Sequence, residues 1–477
     1  MRVLVAAMLA ALAAAATGCG GSVGAGGDAA ALAPDNSLAF VSIDTSLDSD
    51  QWHALDRLTD KFPIKAKAIE LLRTRLREDA GVDFDRDVRP ALGDEFDVAV
   101  FKSPAGKVDA VGMLQPRDEQ KLSDLIAKAD KATADGKPTL HERVNGWTVL
   151  ADNRTAIDTV KAAARGHSLT DVGSYHDAMD SVPEDALVKA YVNGAELTKL
   201  IPESGMLAAS KAARLNWVAL RATAHDNGVE VAFASKGTGE TPAPYRPKLL
   251  REVPSDAILY VSLKGLDRTL KQLLSSPGVN FFVGVLEEQL GFRLQALEPV
   301  LADEGAFWMR PGTPLPDIAL DLEEKDPAAA LATLTKLARG IARLTGTHVV
   351  KKTTTAGTVT VLDLGRASVY LVALPKRVLL TNSVAAISDV KAGGPSLEHD
   401  PTFRHALAEA NAPDKTVGLA YVNLKKAVDV ALGYASLAGA HVPPEVRANL
   451  EPLRAFVAYG AKDDGGVRRY SFFIQTR

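Results

Sequence analysis

Apolar residues along the chain recur with two different periods. Leu122, Leu125, Ile126 and Ala129 follow the i, i+3, i+4, i+7 spacing of one helix face, and Asp118 stands where an N-cap acid belongs. The pattern returns at Leu331, Leu334, Ala338 and Ile341, where Asp326-Pro327 supplies an acid cap and a proline at the first helical position. Ahead of the first helix, "FDVAVFKS" and "VDAVGMLQ" predict two strands. After it come a strand pair, a helix, a proline-led strand and a further helix. A last hairpin turns at "HDNGV" or "DDGGV", with Asn-Gly the stronger turn signal. Strands separated by hairpins or single helices predict an α+β fold, with antiparallel or mixed sheets covered by helices. No glycine-rich strand-to-helix turn supports a doubly wound parallel sheet.

This pattern is written twice. "VPEDALVKAYVNG" at 182–194 and "APDKTVGLAYVNL" at 412–424 share Pro183 with Pro413, Tyr191 with Tyr421 and Asn193 with Asn423, each 230 residues apart. At the same offset "TVLADNRTAIDTVK" lies against "VLLTNSVAAISDVK". "SLAFVSI" matches "AILYVSL" at an offset of 220, "DAVGMLQPRD" matches "DIALDLEEKD" at 208, and "HDNGV" matches "DDGGV" at 238. The order of blocks never breaks, which is the signature of a tandem duplication. Two lobes are therefore expected, residues 34–237 and 253–477, joined by a Gly/Pro-rich linker at 238–252. Each is long enough to bury its own core.

A finer echo runs through "APDNSLAFVSI", "VPEDALVKAYVN", "VPSDAILYVSL" and "APDKTVGLAYVN". The gap from proline to aromatic is six residues in the first and third and eight in the second and fourth. A two-residue difference preserves strand parity, so each lobe is itself expected to contain a pair of related elements.

The N-terminus departs from this scheme. Met1-Arg2 precedes an apolar run at 3–16, too short for a comfortable membrane span but suited to a secretory signal. The sole cysteine, Cys19, follows at "Ala16-Thr17-Gly18-Cys19". This stretch resembles a bacterial lipoprotein signal, with Thr17, Gly18 and Cys19 fitting and Ala16 standing where leucine is preferred. The resemblance implies a signal peptide at 1–18 and a diacylated Cys19, which holds a protein on the extracytoplasmic face of the cell membrane. Without lipidation the chain is expected to be secreted. Residues 19–33 then form a flexible glycine-rich tether.

Composition narrows the chemistry. A net charge of -4 and 6% aromatic residues argue against nucleic-acid binding. One cysteine excludes an intramolecular disulfide and the paired-cysteine zinc patterns. Asp83, Asp85 and Asp87 alternate as in a calcium loop, with Asp94 at the twelfth position. Val88 stands where that loop requires glycine, however, and the duplicate drops all three acids. A helix turn capped by Asp83 and stopped by Gly93 explains the stretch without metal, and no cofactor is expected. No nucleophile elbow, Walker loop or zinc-protease helix is present. Tyr191, Asn193, Tyr421 and Asn423 are candidates to line a cleft. Alternatively the tyrosines pack beside the sheet and each asparagine turns the chain into a helix.

The proline-led "YVN/YVS" strands, the "DRDVRPALGDE" turn and the position of Cys19 together resemble an uncharacterised family of bacterial cell-surface lipoproteins. The resemblance implies place and architecture, not an activity. The expectation is an exported, lipid-anchored envelope protein of non-enzymatic binding or scaffold type. Its partners are the membrane, through the N-terminal lipid, and an envelope protein or an apolar ligand. The alternatives are a carrier with an apolar pocket within or between the lobes and an acid-dependent hydrolase, which needs two carboxylates facing across a cleft.

Overall fold

The computed structural model describes residues 29–477 apart from 133–137, 183–184, 201–214, 239–241, 276–278, 314, 366 and 464. The signal at 1–18, Cys19, most of the tether, Pro183 and part of the linker lie outside the described residues. The first lobe runs β1 (Ser37–Asp44), α1 (Asp50–Thr59), α2 (Lys65–Ala80), β2 (Glu95–Lys102), β3 (Val108–Leu114), α3 (Glu119–Ala132), β4 (Leu140–Val144), β5 (Trp147–Ala151), α4 (Arg154–Ala163), α5 (Gly173–Met179), β6 (Val188–Asn193), α6 (Gly194–Leu200), β7 (Leu215–His225) and β8 (Gly228–Gly237). The second runs β9 (Leu259–Lys264), α7 (Leu266–Leu274), α8 (Asn280–Leu290), β10 (Glu304–Arg310), β11 (Asp317–Glu323), α9 (Pro327–Thr345), β12 (His348–Thr354), β13 (Gly357–Asp363), β14 (Ser368–Leu374), β15 (Arg377–Thr381), α10 (Val384–Ala392), α11 (Pro401–Glu409), β16 (Gly418–Val422), α12 (Leu424–Leu437), α13 (Pro444–Leu450), β17 (Leu453–Lys462) and β18 (Arg468–Thr476).

The fold is α+β, and among the described residues the strands form one 18-stranded sheet rather than one sheet per lobe. Every strand pairing is antiparallel, so the mixed option is removed. The first lobe is ordered β4-β5-β3-β2-β1-β6-β7-β8. The sheet continues through β18-β17-β16-β9-β10-β11-β15-β14-β13-β12. The lobes therefore meet through their last hairpins, β8 against β18.

The four proline-led strands pair within their lobes. Phe40 on β1 lies directly opposite Tyr191 on β6, and Tyr260 on β9 opposite Tyr421 on β16. The strand order β3-β2-β1-β6-β7-β8 is thus symmetric about these two strands, as expected of two related β-α-β-β units. A helix ring closes each pair. Tyr175 of α5 meets Phe40 and Tyr191 edge-to-face at 6.0 and 5.4 Å. Phe403 of α11 meets Tyr260 and Tyr421 edge-to-face at 6.4 and 4.9 Å. These triads anchor the two largest cores, one per lobe on the same sheet face.

Local chemistry places the elements. Asp118 and Asp326 cap α3 and α9, accepting bonds from Lys121 N and from Ala328 and Ala329 N. The β4–β5 turn is Asn145-Gly146, both at positive φ (47° and 89°), the type I′ pattern. Asp83 caps the turn at 84–88 as expected, but Gly93 is not a helix stop. A Cβ there would lie 1.9 Å from the Gln115 carbonyl oxygen, so glycine is needed for close backbone approach.

Two boundaries move. The tether does not extend to residue 33, because Ala29, Ala30, Leu32 and Ala33 are buried in the first core. The short helical turn at Ala29–Ala31 has its counterpart at Leu249–Arg251, 220 residues on. The later part of the linker is therefore docked: Leu249 and Leu250 are buried, and Tyr245 exchanges two backbone bonds with Thr416. The second lobe also carries an additional hairpin, β12–β13, at the free edge of the sheet.

Candidate functional site: an open apolar face

The four cleft candidates are inside the protein. Tyr191 and Tyr421 are fully buried, and Tyr191 shares a 2.8 Å hydrogen bond with Ser174. Asn193 and Asn423 are also buried and accept bonds from Glu196 N and Lys426 N at the starts of α6 and α12. Their oxygens are occupied in opening helices, so none of the four lines a cleft. The acid run is structural as well. Asp85 pairs with Arg73, and Asp87 pairs with Arg86 and Lys128 while accepting from Asp83 N. Burial alone would raise the Asp87 carboxyl, but these partners hold it well below the usual range. Among the described residues no group of three or more His, Cys, Asp or Glu is arranged to hold a metal ion.

Other buried acids are tied into local networks. The Ser42 hydroxyl donates to Glu95 in the first lobe, and Ser262 donates to Glu304 at 2.9 Å in the second. These pairs sit at matching positions of β1–β2 and β9–β10, so the duplication carried the motif with it. Glu304 also accepts from Lys248 N and Leu249 N, anchoring the docked linker. Asp321 is fully buried against Arg377, which also reaches Glu252. Burial nevertheless raises the Asp321 carboxyl to about 7, against the pull of Arg377. In the first lobe burial raises Asp44 to about 6.

Two crevices also repeat. One, of about 310 Å³, lies between Pro34–Asn36, Lys102–Pro104 and the end of α4. Its counterpart, of about 400 Å³, lies between Arg251–Asp256, Arg310 and the end of α10. In the second, the buried Arg310 guanidinium is already clamped by Asp317 at 2.9 Å and Asp389 at 2.6 Å.

The opposite face of the sheet has the least complete cover. An antiparallel sheet with one buried face ordinarily turns polar residues outward. Here directly opposed residues stay apolar across strand after strand. In the second lobe the row runs Leu320, Phe307, Val261, Ala420, Ala458, Phe472. It crosses the lobe junction to Val231, Ala222, Val188 and Ile43. At its ends the row is buried. Ile43 and Phe96 lie under α1–α3, while Leu322 and Val378 lie under α9. The middle is open: Phe307 is 36%, Phe472 39%, Ile474 45% and Leu263 41% exposed. Exposed apolar surface of this kind makes the face the candidate interaction site.

Sequence reasoning missed this face, although a signal was present. "SFFIQ" in β18 and "AFVAY" in β17 are continuous apolar runs, not alternations, and such runs belong to strands apolar on both sides.

The comparisons with known proteins bear on the architecture. The family described as "Protein of unknown function (DUF3352)" matches residues 2–153 and again residues 144–476. The chain belongs to the DUF3352 family. The two matches fit a repeated body, although the second begins inside the first lobe. Among curated proteins none matches this DUF3352 chain. A solved structure titled "Structure of crystal form I of TP0453" is 11% identical, covering 46% of this chain and 83% of that one with a TM-score of 0.23.

Proposed function

We propose that this protein is an exported, lipid-anchored binding protein, without catalytic activity, that holds an apolar chain-like ligand on the open face of its sheet. The carrying observation is the apolar row from Leu320 through Phe307, Phe472 and Val231 to Ile43, covered by helices at its ends and open in its middle. A strip roofed by helices at both ends suits a slender ligand, such as an acyl chain, better than a flat protein surface. Exposures of 36–45% point the same way, since neighbouring groups already shield each side chain on its flanks. The Cys19 motif supports lipid anchorage, and among the described residues no helix is long and apolar enough to cross a membrane.

Native mass spectrometry of the full chain carrying Cys19→Ala, so that no anchor lipid remains, tests the binding. A co-purified apolar ligand is expected, released by organic extraction. A ligand-free chain, or a paired second copy of the chain on the same face, would sink the reading. Anchorage predicts incorporation of labelled palmitate that Cys19→Ala abolishes.

A further inference from the structure

Helix α9 carries Lys336, Arg339 and Arg343 and no acidic residue along its length. The spacing i, i+3, i+7 puts the three on one face, where like charges repel by a few tenths of a kcal/mol per pair. Its counterpart α3 mixes Glu119, Asp124 and Asp130 with Lys121, Lys128 and Lys131. Position near a helix C-terminus accounts for Arg343, in the last turn, but not for Lys336 and Arg339.

These side chains line a cavity of about 490 Å³ together with His348, Phe292 and Val349, and no carboxylate of the described residues lines it. Among the described residues neither Lys336 nor Arg339 has a hydrogen-bond or ion-pair partner, whereas Arg343 donates to the Leu290 carbonyl oxygen at the end of α8. The corner is built by two glycines. A Cβ on Gly340 would lie 2.4 Å from the Leu290 oxygen, and one on Gly291 would lie 2.5 Å from the Arg343 guanidinium. The close approach of α8 to α9 thus sets Arg343 at the cavity wall. Over the two turns before Leu290, α8 presents Phe282, Val285 and Leu286 at 72%, 40% and 41% exposure.

We infer that this cavity binds a phosphate-type anion. Two cations free of protein partners, a third fixed on a backbone carbonyl, and the absence of any lining acid match the charge and multiple acceptor oxygens of phosphate. The apolar face of α8 beside it favours a phospholipid head group over free phosphate. That choice of source rests on the apolar-ligand reading above; the anion site does not.

Phosphorus NMR of the full chain in neutral maltoside micelles tests the site, with either inorganic phosphate or phosphatidylglycerol added. The comparison is Lys336→Gln/Arg339→Gln, which leaves Arg343 and the helix contact in place. Line broadening of the phosphatidylglycerol signal is expected, weakened about tenfold or more in the double variant and by added salt. Broadening of inorganic phosphate alone, equally lost in the variant, keeps the site and makes its ligand soluble. No broadening with either probe, or broadening equal in the variant, overturns the inference. Phe472→Asp should leave the phosphorus signals unchanged, so failure of the apolar face and failure of the anion site are separable.

Discussion

The two lobes treat the two faces of their common sheet differently. On the inner face they agree: each has a helix ring, Tyr175 or Phe403, edge-on to a pair of opposed strand aromatics. On the outer face they diverge. In the first lobe α1 buries Trp52, Ala54 and Leu58, α2 buries Leu76 and Ala80, and α3 buries four apolar residues, and α1 reaches across to β7. In the second, α9, the counterpart of α3, likewise buries Ala330, Leu334, Ala338 and Ala342, but α7, α12 and α13 bury none. Helix α7 is nonetheless strongly amphipathic, with Leu266, Leu270, Leu273 and Leu274 on one side and Leu273 52% exposed. The helix that follows β3 or β11 is sealed in both lobes, whereas of the helices that follow β1 and β9 only α1 is sealed and α7 is not. The inner face is thus the scaffold the two lobes share, and the outer face is where they differ.

That contrast can be broken at several points. Phe403→Ala and Tyr175→Ala should each cost about 3–5 kcal/mol in denaturant unfolding, because each removes a ring shared by two others. A cost near zero in one lobe alone would break the claimed equivalence of the inner faces. Trp52→Ala should cost about 3 kcal/mol, whereas Leu273→Ala in the second lobe should stay within about 0.5 kcal/mol. Equal costs would mean that the outer helices are sealed alike.

The pH dependence follows from the buried acids. Asp44 and Asp321 ionise in the folded protein near 6 and 7, above the ordinary 3.8. The native state therefore holds more protons than the unfolded chain between these values. Their contribution to stability is fully present below about pH 4 and is lost as pH rises through 6 to 7. Thermal melts of Asp321→Asn should show a smaller loss over this range than the unmodified chain. The opposite slope would mean that Arg377 outweighs burial. Phe472→Asp should cost no more than about 1 kcal/mol, because its side chain already meets solvent.

Much of the architecture was legible before the coordinates. The duplication, the capped helices α3 and α9, and the proline-led strands can all be read from periodicity and turn chemistry. Parity also anticipated that Phe40 and Tyr191 share a face, since a two-residue difference in strand length leaves the side-chain direction unchanged. Strand partners were not legible, because pairing is decided by contacts distant in sequence. Nothing local to "SFFIQ" says that β18 joins β8 across the lobe boundary. The extra hairpin left a trace that went unread. The repeat offset grows from 208 at β11 to 230 at β15, and the difference, 230 − 208 = 22 residues, accommodates β12–β13 with its connections. At the candidate site, repetition itself misled. Tyr421 and Asn423 recur because a core ring and a helix cap are needed in each lobe, while the open face is spread over many strands with no local motif.

The central claim is that the middle of the outer face binds an apolar ligand. Titration of the full chain carrying Cys19→Ala with a fluorescent fatty-acid probe, beside the same chain carrying Phe307→Asp/Phe472→Asp, tests it most directly. The account predicts saturable uptake that unlabelled fatty acid displaces and that the double substitution abolishes while circular dichroism is unchanged. Equal uptake by the substituted and unsubstituted chains, or no saturable uptake by either, would contradict it.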